Sequence, residues 1–209
     1  MRMETVLKFF AAYSVLFVIL IVWRRKTSAS ILPFILGIVS YMCISLFRGL
    51  TRGIILNESV QAHVVLYYVL SAILSGVFEE GGRYVVFRPF IGNWVDCVSY
   101  GIGHSAAETL LTHRFWEGDI WGNLFISYDL IVYISFSVAM SALVFVAANY
   151  ADNKKFLLAA VALHTAIDIV PIGFFQGKMT IGEIMLIDLL FVAGCCYFAF
   201  RVYQHFRDY

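Results

Sequence analysis

The sequence predicts an all-α polytopic membrane protein, an intramembrane bundle of about seven transmembrane helices, and three observations carry that prediction. The chain is 61% hydrophobic and only 14% charged, with a mean hydropathy of +0.83. A soluble domain needs roughly a quarter of its residues charged to solvate its surface, so the solvent expected here is lipid. Apolar runs of about 20 residues, enough to cross a hydrocarbon layer, recur along the whole chain. The breaks between them are short and mix charge with Gly, Pro or Asn, the residues that interrupt a helical pattern. The net charge of +1 gives no footprint for a polyanion, which argues against nucleic acid as a partner.

In order, the apolar segments are 4–23, 30–50, 60–87, 94–112, 123–149, 156–174 and 180–203. The first runs into WRRK rather than a small-residue cleavage site, so it reads as a retained transmembrane helix. The later breaks are RGLTRGIILNES, RPFIGN, HRFWEGDIWGN, ADNKK and FQGKMT. No long linker, low-complexity tract or internal repeat interrupts the series, so residues 1–209 are expected to form a single transmembrane domain. Cys43, Cys97, Cys195 and Cys196 sit in apolar stretches without CxxC spacing and read as free buried thiols. The tyrosines and tryptophans suit aromatic belts at the membrane interfaces.

Orientation follows from lysine and arginine in the short loops. Alternating the segments gathers Arg24, Arg25, Lys26, Arg88, Lys154, Lys155, Arg201 and Arg207 on one side. A smaller set, Arg2, Lys8, Arg48, Arg52, Arg114 and Lys178, falls on the other. The expected topology has the N-terminus outside and the C-terminus cytoplasmic.

Ionisable groups inside a membrane cost several kcal/mol unless paired or hydrated, so each demands a reason. The third segment carries Glu79, Glu80 and Arg83 in GVFEEGGRYVVFR; the fourth carries His104 and Glu108 in SYGIGHSAAET; the sixth carries His164 and Asp168 in ALHTAIDIVP. Glu79, His104 and His164 each lie nine or ten residues from the cytoplasmic end of their segment, roughly 14 Å deep at the helical rise. His104 and Glu108, and likewise His164 and Asp168, are four apart and share a helix face. Arg83 is within one turn of both glutamates.

Two histidines and a carboxylate match a catalytic zinc shell that keeps one position open for water. His104, His164 and Glu79 are therefore the candidate ligands of a divalent metal such as zinc. One glutamate would take a proton from a bound water, and depth favours Glu79; the other would be held by Arg83. Asp168 would assist ligation or position the water, and Glu108 would support His104. Gly81, Gly82, Gly101 and Gly103 would let the third and fourth helices approach closely. The competing structural reading makes Glu79, Glu80 and Arg83 an ion pair that locks helix packing. His63, His113 and His205 lie near segment ends and suit interfacial solvation. Glu58, Asp96 and Asp129 also fall near an interface, whereas Asp188, further inside, suits a helix contact.

This pattern resembles the superfamily of intramembrane metalloprotease-like proteins. It includes the CAAX protease and bacteriocin-processing (CPBP) enzymes, the PrsW proteases, the YhfC-type membrane peptidases and the anterior-pharynx-defective subunit of gamma-secretase. The family pattern is a double glutamate followed by a basic residue, a histidine in the next helix and a later HxxxD or HxxxN. Here these are Glu79-Glu80 with Arg83, His104, and His164 with Asp168. EEGGRY and GIGHSAAE are most similar to the YhfC type.

Three departures qualify the likeness. In the CAAX proteases the arginine sits one residue further on, and phenylalanine stands where this chain has Tyr100. The YhfC pattern carries a further histidine around Ser137, and 123–149 contains none. The resemblance implies an intramembrane metallopeptidase that cuts a membrane-associated protein or peptide through a Glu/His/His/Asp site. The missing histidine motivates a second reading, a non-catalytic membrane scaffold or immunity-type protein of the same fold. A third, a proton- or cation-coupled transporter, would use Glu79, Glu80 and Asp168 as a relay.

Overall fold

The computed structural model describes residues 3–56, 58–113, 120–150 and 153–207. Its long helices are α1 (Met3–Thr27), α2 (Leu32–Ile55), α3 (Val64–Phe90), α4 (Trp94–His113), α5 (Ile120–Asn149), α6 (Lys155–Ile169) and α7 (Ile181–Phe206). Single helical turns, Glu58–Gln61 and Ile172–Phe175, lie in the α2–α3 and α6–α7 connections. The described residues contain no strand, so the all-α membrane bundle is the observed fold.

Local sequence sets several boundaries. Pro33 stands in the first turn of α2, where its fixed φ is useful and its missing N–H costs nothing. Thr180 and Glu183 form a reciprocal capping box that starts α7. Pro171 follows the end of α6, which stops at Ile169 instead of running on to 174 as the apolar pattern suggested. The opposite correction applies to α1 and α2. Arg24, Arg25 and Lys26 remain helical as the last turn of α1, where cations complement the C-terminal dipole. In the same way α2 continues to Ile55 and takes Arg48 and Arg52 out of the loop.

Among the described residues, α2, α3, α7 and the 128–149 part of α5 are long and apolar enough to cross a membrane. The α5 span is the axis of the bundle. It is 78% buried and packs against α1, α3, α4, α6 and α7. Around it α2 lies along α4, and α3 lies along α6. The largest buried cluster joins Phe87 and Tyr100 to Met140, Leu143 and Phe145 of α5. Ile54, Val85 and Leu158 project outward, as a surface solvated by lipid tails permits.

The glycines do different work from that expected. Those of α4 do not serve a contact with α3. A Cβ on Gly103 would collide with the Phe34 carbonyl of α2, and a Cβ on Gly37 of α2 would collide with the Tyr100 carbonyl of α4. Gly101 faces α5, where a Cβ would lie 2.9 Å from Val138 Cα. Two backbones in such contact have no room to relax, so Gly103→Ala is expected to destabilise the fold by about 1–3 kcal/mol. Thermal unfolding in detergent would measure it; Gly81→Ala, with nothing within 4 Å of its added Cβ, is the control.

Candidate active site

The acidic pair of α3 faces into the bundle because Ser71, Ser75, Glu79, Glu80 and Arg83 follow one buried helical face. His104 points inward from α4 and His164 from α6. Glu79 is 1% exposed and His104 0%, so neither is solvated from the surface. Their partners must come from the protein.

Glu79 is the centre of the arrangement. Its Oε2 lies 3.3 Å from His104 Nε2 and 3.7 Å from His164 Nε2. Its other oxygen, Oε1, contacts the guanidinium of Arg48 from α2. Glu80 looks the other way. Its Oε1 is 2.6 Å from His164 Nδ1, while Oε2 lies 3.2 Å from Arg83 Nη1 in an ion pair without a well-directed hydrogen bond. Arg83 donates in turn from Nη1 to the Ser137 carbonyl at 3.2 Å and from Nη2 to Ser137 Oγ at 3.3 Å. The chain Ser137–Arg83–Glu80 thus fixes the His164 ring by one nitrogen and leaves Nε2 turned to Glu79. The Phe136 ring packs edge-on against His164 at 5.4 Å, and Tyr41 packs edge-on against His104 at 4.9 Å.

The remaining acids stand at the edge. Asp168 Oδ2 is 4.0 Å from His164 Nε2, and its side chain is 32% exposed. Glu108 is closer in than its expected supporting role implied: its carboxylate, Glu79 and His104 offer ligand atoms all within 4.8 Å of one another, whereas the expected trio of Glu79, His104 and His164 does not gather that tightly. The sequence-based candidates therefore converge. Glu79, Glu80, His104 and His164 meet directly, with Arg83 behind them and Glu108 and Asp168 beside them.

Several participants escaped the sequence reading. Arg48 was counted as a loop charge, although Tyr41, Ser45 and Arg48 at i, i+4 and i+7 trace one face of α2. Ser137, at the place where the resemblance carries a histidine, is the acceptor for Arg83. The hydroxyl that distinguishes Tyr100 from phenylalanine is tied to Ser40 Oγ at 2.5 Å, joining α4 to α2. A separate apolar groove of about 960 Å³, lined by Trp23, Ile102, Val138 and Tyr203 among others, includes none of the site residues.

The donor set suits a metal ion. An imidazole whose Nδ1 is held by a carboxylate presents Nε2 as a ligand, the usual outer-shell arrangement at metal centres, and Glu80 on His164 supplies it. His104 Nδ1 is buried without a hydrogen-bond partner, so the ring nitrogens of His104 are not used up by structural contacts.

Comparison with known proteins agrees with this chemistry. The sequence model of a family described as "YhfC intramembrane metalloprotease" matches residues 11–115. The chain belongs to that family. The matched residues carry Glu79, Glu80, Arg83, His104 and Glu108, while His164 and Asp168 lie beyond them. A protein of Bacillus subtilis (strain 168), named "Uncharacterized membrane protein YhfC", is 30% identical over 102 residues, which is 44% of this chain. The match spans 40% of that relative's length. No solved structure matches. Membership of the YhfC family and the apolar helices place the protein in a membrane, and a metalloprotease family implies a metal ion.

Proposed function

We propose that this YhfC-family protein is an intramembrane metallopeptidase that hydrolyses a peptide bond of a membrane-associated protein or peptide. The observation that carries the reading is the approach of Glu79 Oε2 to His104 Nε2 at 3.3 Å and to His164 Nε2 at 3.7 Å, three groups from three separate helices. His104 and Glu108 would hold the metal, with Glu79, whose oxygen lies within 4.8 Å of theirs, beside the ion and its bound water, and His164 next to Glu79. When bound, a divalent ion such as zinc acts as a Lewis acid that polarises a carbonyl and acidifies water.

The chain's own residues supply the rest. Glu79 accepts the proton of the attacking water at a carboxylate oxygen and returns it to the amine nitrogen as the C–N bond breaks. Glu80, pinned by Arg83, keeps His164 oriented and takes no part in proton transfer. Asp168, at the exposed edge, meets incoming water or substrate. The basic ends of the helices support an orientation with the N-terminus outside, which puts Asp168 and Arg48, the exposed edge of the site, on the side away from the cytoplasm.

Reconstituted protein should generate fragments from membrane peptides, read by mass spectrometry, and His104→Ala or His164→Ala should remove those fragments while the helical bundle persists by circular dichroism. Persistence of the same fragments in both variants would sink the proposal. The scaffold reading draws support from one observation: Ser137, where the resemblance carries a histidine, serves the Arg83–Glu80 pair. It expects no specific fragments from wild type, and loss of folded yield rather than of cleavage in the variants.

A further inference from the structure

Arg48 is the charge at this site to which the reading above gives no role. It reaches in from α2, where Nη1 contacts Glu79 Oε1 and donates to Ser75 Oγ at 3.0 Å, and Nη2 donates to Ser45 Oγ at 3.4 Å. Its side chain is 17% exposed against 1% for Glu79, so it enters from the rim. Arg83 makes the contrast. That guanidinium is enclosed, held by Glu80 and by both oxygens of Ser137, and it stands behind the histidines. Arg48 has a route outward along its flexible stem, and two serine hydroxyls already within reach.

The contact matters to any cation that binds here. Glu79 Oε2 faces both histidine Nε2 atoms, and Glu79 is also the carboxylate that Arg48 neutralises. A carboxylate shared with a guanidinium has less charge to offer a metal. A fixed positive charge a few ångströms from a divalent ion repels it, and the low dielectric of the bundle magnifies the effect. Without Arg48, however, an ionised Glu79 would keep only the two histidines beside it in a buried site, a costly state.

We propose that Arg48 and a divalent cation compete for Glu79. The guanidinium neutralises the carboxylate when no ion is bound, and withdraws toward Ser75 and Ser45 when one binds. The inference rests on the reading of Glu79, His104 and Glu108 as a metal site, and it assigns Arg48 as the residue that sets the affinity of that site.

Zinc alone is the probe, titrated into the purified full-length chain in detergent against a chelating dye. Arg48→Gln is expected to bind zinc about tenfold more tightly than wild type, or better, because a repelling charge is gone. Arg48→Lys, which keeps the charge, should stay near wild type. On the wild-type protein, zinc should speed modification of Arg48 by phenylglyoxal several-fold (roughly the change from a paired to a released guanidinium) while Arg24 and Arg25 react at unchanged rates. That comparison decides the matter if Arg48→Gln fails to fold. Equal zinc affinity in wild type and Arg48→Gln, with binding lost in Glu79→Gln, would overturn the competition and leave the metal site standing. Failure of every variant to bind zinc would remove the metal site, and the competition with it.

Discussion

Glu79→Gln is expected to slow peptide cleavage by about 10²–10⁴-fold, the usual contribution of a positioned general base. Glutamine fills the same volume between the histidines but cannot accept the proton from water. The substitution has a second consequence, which a test must separate from the first. Arg48 loses its counter-charge in a site where Glu79 is 1% exposed, so Glu79→Gln should also lower the unfolding temperature. Adding Arg48→Gln removes the stranded cation. The double variant is expected to recover stability and to remain inactive. Turnover of a cleaved peptide and thermal unfolding, measured on the same preparations, check both parts. Recovery of activity in the double variant would show that Glu79 serves packing rather than chemistry.

The largest effect on stability is expected at Arg83. Arg83→Met keeps the bulk of the stem but leaves Glu80 ionised in the core beside His164, without its cation. Breaking a buried pair by removing one partner costs about 3–5 kcal/mol. Ser137→Ala removes one of the guanidinium's two acceptors on Ser137 and leaves the carbonyl, so about 0.5–1.5 kcal/mol is expected there. Glu80→Gln combined with Arg83→Met should regain part of the loss, because neither charge is then stranded. Unfolding midpoints in detergent for the three variants and wild type would check the order. An Arg83→Met protein as stable as wild type would mean that the Ser137–Arg83–Glu80 chain holds nothing in place.

Much of the bundle was legible because lipid imposes a simple rule on sequence: a spanning helix must be apolar over its whole length. The rule fails at helix ends. WRRK in α1 and RGLTRGII in α2 look like loops by charge, yet both continue as helix, the first aided by cations at a C-terminal dipole. The polar site was legible for the complementary reason. Glu79, His104 and His164 are too costly in lipid to be there without partners, and their common depth placed them together.

Spacing along the chain could not divide labour between Glu79 and Glu80, since adjacent residues on a helix point about 100° apart and the neighbours decide. Contacts with α2, α4 and α5 do so: Arg48 and His104 take Glu79, while Ser137 holds the Arg83 that takes Glu80. Arg48 lies at the end of the apolar segment 30–50 and opens the charged break RGLTRG, so its charge groups it with the loops although α2 carries it inward. The glycines of α4 were recognised as small but given the wrong neighbour, because close approach can be inferred from sequence and its direction cannot.

The proposed function requires Glu79, His104 and His164 to work as one metal-dependent hydrolytic centre. The most direct measurement follows fragment formation by a single wild-type preparation before chelation, after removal of divalent ions, and after zinc is restored. Cleavage should disappear on chelation and return with zinc. Cleavage that continues unchanged through chelation would contradict the proposed function.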